Sequence, residues 1–155
     1  MRASKPTTSF KVVDFVPEHA DDLWERNSTL ATADRGFMTK DNVKAMALKG
    51  HAFSLLTNGH LVFSAGIFPI WDGMGEAWVV PSDLIRRHKR EFVRYVRGYM
   101  DQLAKENSYH RIQATARYDF PQGQRFLEFL GFTREGLMHH YGPDGSDHYL
   151  YARLM

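Results

Sequence analysis

Runs of alternating and helix-spaced apolar residues divide the chain into regular segments punctuated by Gly, Pro and Asn. Phe10 to Val16 is an apolar, β-branched stretch that predicts a first strand. Pro17 suits the opening of a helix, and Glu18 to Arg26 carries Ala20, Leu23 and Trp24 at helical spacing. Residues 27 to 38 show no clear period and read as a loop. Thr39 then opens a short helix, apolar at Val43, Met46 and Ala47 and ending near Gly50. Asn58-Gly59 joins the runs His51–Thr57 and His60–Ile70, and that dipeptide supplies the positive φ angles of a two-residue hairpin turn. A third run, Glu76–Val80, follows the turn Asp72-Gly73-Met74-Gly75. From Ile85 the pattern becomes helical, with Phe92, Val96, Tyr99 and Leu103 at steps of four, three and four. The strand Tyr109–Ala116 and a short helix ending at Gly131 come next. Strands Thr133–Tyr141 and Asp147–Leu154 close the chain around the turn Gly142-Pro143-Asp144-Gly145. The order β-α-α-β-β-β-α-β-α-β-β predicts a mixed α/β sheet.

Composition narrows the classes. At 155 residues the chain is expected to form one domain. No apolar run approaches the ~20 residues that span a bilayer, so no membrane partner is expected. Residues 1 to 9 lack the apolar core of a signal peptide. Without cysteine there is no disulfide, thiolate nucleophile or zinc–thiolate site, which is compatible with a cytoplasmic setting. The net charge of +2 does not by itself imply nucleic-acid binding. Arg86, Arg87, Lys89, Arg90, Arg94 and Arg97 nevertheless crowd one segment around Glu91, and such a patch attracts anions. The plain alternative is a solvated helix face. Aromatic residues do not interleave with these cations as a single-strand platform requires.

Two stretches carry candidate chemistry. In Gln124 to Phe132, Phe126, Leu127, Phe129 and Leu130 form a core-facing stripe, and Gly131 ends the helix. In Val79-Val80-Pro81 followed by Leu84-Ile85-Arg86-Arg87-His88-Lys89, a strand ends in a basic turn. Arginine and lysine pair well with phosphate oxygens; alternatively the turn is only the first turn of a long helix. His139, His140 and His148 near the last hairpin do not have metal-ligand spacing, and no metal is expected.

The segment Arg111–Ala116, Phe120–Phe132 and Thr133-Arg134-Glu135-Gly136 resembles the C-terminal half of the GNAT-type N-acetyltransferases. In that family the helix often begins Asn-Pro-x-Ser, ends Leu-Gly-Phe and is followed by Glu-Gly. The resemblance implies an α/β (α+β) GNAT fold, a mixed, mostly antiparallel sheet of six to seven strands flanked by about four helices. It also implies direct transfer of acetyl from acetyl-CoA to a primary amine on a small molecule or protein. Glu76 would deprotonate the ammonium, and Tyr141 would donate a proton or shape the pocket. Val79 or Val80 would offer an oxyanion-stabilising amide, Arg86, Arg87, His88 and Lys89 would hold the phosphates, and Phe120 and Gln124 would flank the pantetheine arm. The chain departs from the family pattern at Phe120 (usually Asn), Gly123 (usually Ser) and Leu127 (often a tyrosine acid). The glycine-rich phosphate loop is replaced by the basic turn. A narrower similarity, at Trp78, Val80, Ser82 and Asp83, is to the GNAT-like internal virion proteins of T7-like phages. It implies the alternative of a non-catalytic scaffold, with a homodimer or virion assembly partner and a virion location.

Overall fold

The computed structural model describes residues 9–26 and 39–155; the loop expected over 27–38 lies outside the described residues. The elements are β1 (Phe10–Asp14), α1 (Pro17–Arg26), α2 (Lys40–Lys49), β2 (His51–Thr57), β3 (His60–Trp71), β4 (Met74–Pro81), α3 (Lys89–Glu106), β5 (Arg111–Arg117), α4 (Pro121–Phe129), β6 (Thr133–Met138) and β7 (His148–Leu154). One sheet holds all seven strands in the order β1-β2-β3-β4-β5-β7-β6. Every junction is antiparallel except β4–β5, which is parallel because α3 carries the chain back across the sheet. The expected mixed, mostly antiparallel sheet of six to seven strands with about four helices is therefore present, with seven strands and four α-helices among the described residues.

Strand alternation gives the sheet two different faces. On one, Phe53, Phe63, Ala65, Ile67, Ile112, Ala114 and Tyr151 pack beneath α3 and α4. Aromatic rings run across this face in a chain. Tyr99 stacks on Phe53 with centroids 4.4 Å apart, Phe53 meets Phe63 edge-on at 5.8 Å, Phe63 meets Phe92 at 4.9 Å, and Phe92 stacks on Phe126 at 4.4 Å. The last pair joins the first turn of α3 to α4. On the opposite face, Trp78, Val80 and Leu61 pack with Ala20 and Leu23 of α1 and Val43 of α2. There His19 Nδ1, Ser54 Oγ and Ser64 Oγ form a hydrogen-bonded chain of 2.8 and 2.7 Å, which satisfies two fully buried hydroxyls.

Several strands differ from the sequence expectation by one or two residues, β4 beginning at Met74 within the expected turn, and two larger shifts have a local cause. The long helix begins at Lys89 rather than Ile85, because Ser82 caps a separate 3-10 turn over Asp83–Arg86. Strand β6 stops at Met138 rather than Tyr141: His140 takes a left-handed backbone (φ 55°), and the Asp147 carboxylate accepts its N–H and contacts the His139 ring. At Asn58-Gly59 both φ angles are positive, 50° and 82°, as the two-residue hairpin requires. Among the described residues, no helix is long and apolar enough to cross a membrane.

Candidate active site

The feature that organises the site is a split between β4 and β5. The two strands pair only through Met74–Arg111, Gly75–Ile112 and Glu76–Gln113, and then diverge. Residues Ala77 to Pro81 line one side of the resulting wedge, and Ala114 to Arg117 line the other. Backbone direction inside it follows from neighbouring bonds. The Ser82 N–H donates to the Val62 carbonyl at 2.8 Å, while the Gly73 carbonyl accepts from His110 and Arg111 at 2.8 and 3.1 Å. Even-numbered residues of β4 thus bond toward β3 and odd-numbered ones toward β5. Val79 directs its amide into the wedge. The Val80 amide turns to β3, so of the two expected oxyanion donors only Val79 has the required direction.

Glu76 sits at the apex of the wedge, on the α1/α2 face. Phe68 is its partner across β3, Gln113 its partner across β5, and Met74 and Trp78 precede and follow it on the same face. Met74 and Trp78 are buried. This largely apolar surrounding removes water from the carboxyl without supplying a cation, and burial alone pushes its pKa upward. A carboxyl shifted in that direction is a stronger base than a solvated one.

At the open end of the wedge the basic turn leaves β4 directly. Ser82 Oγ accepts from the Leu84 amide at 3.2 Å and donates to the Leu61 carbonyl at 2.6 Å, clamping the turn to β3. The amides of Ile85, Arg87 and His88 close bonds within the turn. The first helical amides of α3, from Lys89 on, have no intrahelical acceptor, and the His88 side chain does not cap them. Arg86, Arg87 and Lys89 are exposed around that helix start. His88 is different: its ring packs edge-on against Phe10 at 5.3 Å.

The remaining expected residues are placed as follows. Phe120 precedes α4 without a side-chain cap bond and lies against Gly123, where an added Cβ would come within 2.7 Å of the ring's Cε1. The two departures from the family's Asn and Ser are thus one packing arrangement. Gln124 donates Nε2 to the carbonyls of Arg117 and Tyr118, both at 3.0 Å, and accepts from Arg134 at 3.1 Å. Its polar atoms are engaged in holding the β5–α4 turn, which argues against the expected ligand contact. Leu127 is buried core. Tyr141 stands beside His148 (5.4 Å between rings), and His148 pairs with Arg117, four residues along β5 from the partner of Glu76. At ~3.3 Å per residue that is roughly 13 Å along the strands, which sets the His148–Tyr141 contact well along β5 from the apex. The three histidines serve separate contacts: His139 with Asp147, His140 with the Gly145 carbonyl, and His148 with Ser146.

One group has no functional reading in the sequence. Arg111 forms a two-pronged ion pair with Glu135 (2.6 and 3.0 Å) and also donates to Gln113 Oε1 from Nε and Nη2 at 3.4 and 3.3 Å. The pairing lowers the Glu135 pKa and raises that of Arg111. The alternation of polar 111, 113, 115 and 117 with apolar 112, 114 and 116 shows that these residues share a face. What lies across from them is set by strand order, which no local pattern carries.

Sheet order, single parallel junction and wedge define the fold of the GNAT acetyltransferases. A GNAT-family acetyltransferase from Bacillus anthracis superposes with a TM-score of 0.73 at 21% identity, covering 94% of each chain. The ribosomal-protein-S5-alanine acetyltransferase of Vibrio fischeri gives 0.71 at 18% identity, over 99% of this chain and 97% of that one. YncA of Salmonella typhimurium, solved with its cofactor acetyl-CoA, gives 0.72 at 14% identity, over 94% and 93%. No family model matches the sequence, and no curated protein matches it. At these identities the likeness is one of fold.

Proposed function

We propose that this chain is an N-acetyltransferase that moves acetyl from acetyl-CoA to a primary amine within a ternary complex. The observation that carries the reading is Glu76, a carboxyl with raised pKa at the apex of the β4–β5 wedge. The residues present fit the co-substrate. The wedge leaves the Val79 amide unpaired by the sheet, and exposed Arg86, Arg87 and Lys89 surround an uncapped helix start suited to phosphate. Acetyl-CoA would supply a thioester carbonyl: the C–N bond would form, the C–S bond would break, and the second proton shed by the nitrogen would pass through solvent to the departing thiolate. Glu76 takes the proton from the ammonium, directly or through one water, so that the nitrogen lone pair can attack. The Val79 N–H stabilises negative charge developing on the carbonyl oxygen. With no cysteine in the chain, no enzyme thioester is formed and transfer is direct.

Calorimetry with acetyl-CoA tests the reading. Binding in the micromolar range is expected, weakened by about 10-fold in Arg86→Ala/Arg87→Ala as two charge-assisted contacts are lost at an exposed site. No heat at millimolar ligand would refute it.

A further inference from the structure

The geometry points to an acceptor that carries a hydrogen-bond-accepting oxygen beside its amine, an α-amino-acyl group such as a peptide N-terminus, with Gln113 as the residue that reads that oxygen. This rests on the acetyltransferase reading and names its substrate class.

Among the described residues, Gln113 is the only polar partner that the sheet register sets directly beside Glu76, on an adjacent strand about 4.8 Å away and on the same face. Its amide orientation is fixed by chemistry. A guanidinium has donors and no acceptor, so the side of Gln113 that meets Arg111 must be its oxygen. The Glu135 carboxylate holds Arg111 in place from the other side. The Gln113 –NH₂ is therefore the arm turned away from Arg111, and no acceptor among the described residues takes its protons. Glu76 likewise has no hydrogen-bond or ionic partner among the described residues.

Among the described residues, the apex thus presents one unengaged acceptor and one unengaged donor side by side, walled by Phe68, Met74 and Trp78. A ligand that satisfies both offers an ammonium to Glu76 and an oxygen on the neighbouring carbon to Gln113. An α-amino-acyl group has that sequence of atoms. A lysine side chain or an alkyl polyamine has only methylenes next to nitrogen, and would cover the Gln113 amide without satisfying it. The Gln113 amide is only partly buried before binding, so discrimination arises when the ligand strips its water without replacing the bond. Arg111 is neutralised by Glu135, so the site does not require a free carboxylate; the amide oxygen of a peptide or an amino-acid amide suffices.

The experiment compares alaninamide with isopropylamine, which has the same branching without the carbonyl, in wild type and Gln113→Met. Methionine keeps the length and removes the donor. The readout is the ratio of kcat/KM for the two amines, each variant against wild type, which cancels their different basicity. The ratio should fall about 5- to 10-fold in the variant, the worth of one hydrogen bond to a carbonyl. An unchanged ratio overturns the inference while leaving the acetyltransferase reading intact. Binding of both amines is measured separately by calorimetry in the presence of CoA, at a pH where both are protonated. If neither is acetylated, the acetyl-CoA calorimetry decides the transferase reading separately, and tighter binding of alaninamide upholds recognition of the α-amino-acyl oxygen at Gln113; equal affinities, or no binding of either, overturn the inference. The wild-type binding ratio decides alone if the variant does not fold. A blocked peptide with one internal lysine and the same peptide with a free N-terminus then separate protein N-termini from small amides: acetylation only at the N-terminus supports the class, and preference for the lysine overturns it.

Discussion

Replacing Glu76 with Gln should move activity and stability in opposite directions. The substitution keeps the shape of the side chain and removes its charge and basicity. If Glu76 is the general base, kcat falls by about 10²- to 10⁴-fold, a barrier increase of about 3–5 kcal/mol. The same change relieves the cost of an ionised carboxylate among Phe68, Met74 and Trp78, where burial raises the pKa and no cation compensates. The sign follows from linkage. An acid whose folded pKa exceeds its unfolded value favours the native state fully below the unfolded pKa, and that contribution is lost as pH rises through the folded pKa. Wild type should therefore lose stability with rising pH in the window above pH 4.5, while its kcat climbs with unit slope in the same window. The Glu76→Gln variant should lack this contribution to the stability profile, keeping those of groups such as His19, and should lack the slope in kcat. At neutral pH the gain for a partly buried, unpaired group is about 1 kcal/mol, or about 2–4 °C in Tm for a chain of this size. Thermal melts across pH, with steady-state rates on the same samples, read both effects. A variant that is less stable at neutral pH contradicts the desolvation argument, and one that keeps wild-type kcat removes Glu76 from the chemistry.

Two further substitutions test the scaffold. Phe63→Ala removes the central, fully buried ring of the aromatic chain under α3 and should cost about 3–5 kcal/mol, read as a Tm drop; a loss below about 1 kcal/mol would show that the ring series does not anchor α3. Gln124→Ala gives up two bonds to the β5–α4 turn and releases Arg134, for about 1–2 kcal/mol in a denaturant melt, and acetyl-CoA affinity measured on the same protein should stay within about 2-fold. A large loss of affinity with little loss of stability would return Gln124 to the ligand site.

Much of this is legible in the residues. The Asn58-Gly59 hairpin, the capped helix after Thr39 and the Gly131 helix end are local signals, and each is found where local chemistry requires it. The start of α3 is obscured because Leu84 and Ile85 extend the apolar period of the helix. The competing signal is Ser82, whose hydroxyl closes a separate turn. The end of β6 is obscured because the left-handed turn at His140 depends on Asp147, a partner across the hairpin. Glu76 is recognisable as a candidate, but its apolar walls come from β3 and from alternation within β4. The wedge is not legible in the residues, since where two parallel strands part is set by what packs against them. Gln113 is invisible for the same reason: its orientation depends on Arg111 and on Glu135, 24 positions further along the chain.

The burial of Trp78 has a practical consequence. The chain has three tryptophans, at positions 24, 71 and 78. Trp71 is 64% exposed and Trp78 only 6%, with its indole N–H lacking an acceptor among the described residues. Trp71 accordingly contributes red-shifted emission open to an aqueous quencher, whereas Trp78 contributes blue-shifted emission from two residues beyond Glu76. With half-buried Trp24 replaced by Phe and iodide suppressing the exposed indole of Trp71, fluorescence from Trp78 becomes an intrinsic optical gauge of whether an amine has entered, without label or coupled assay.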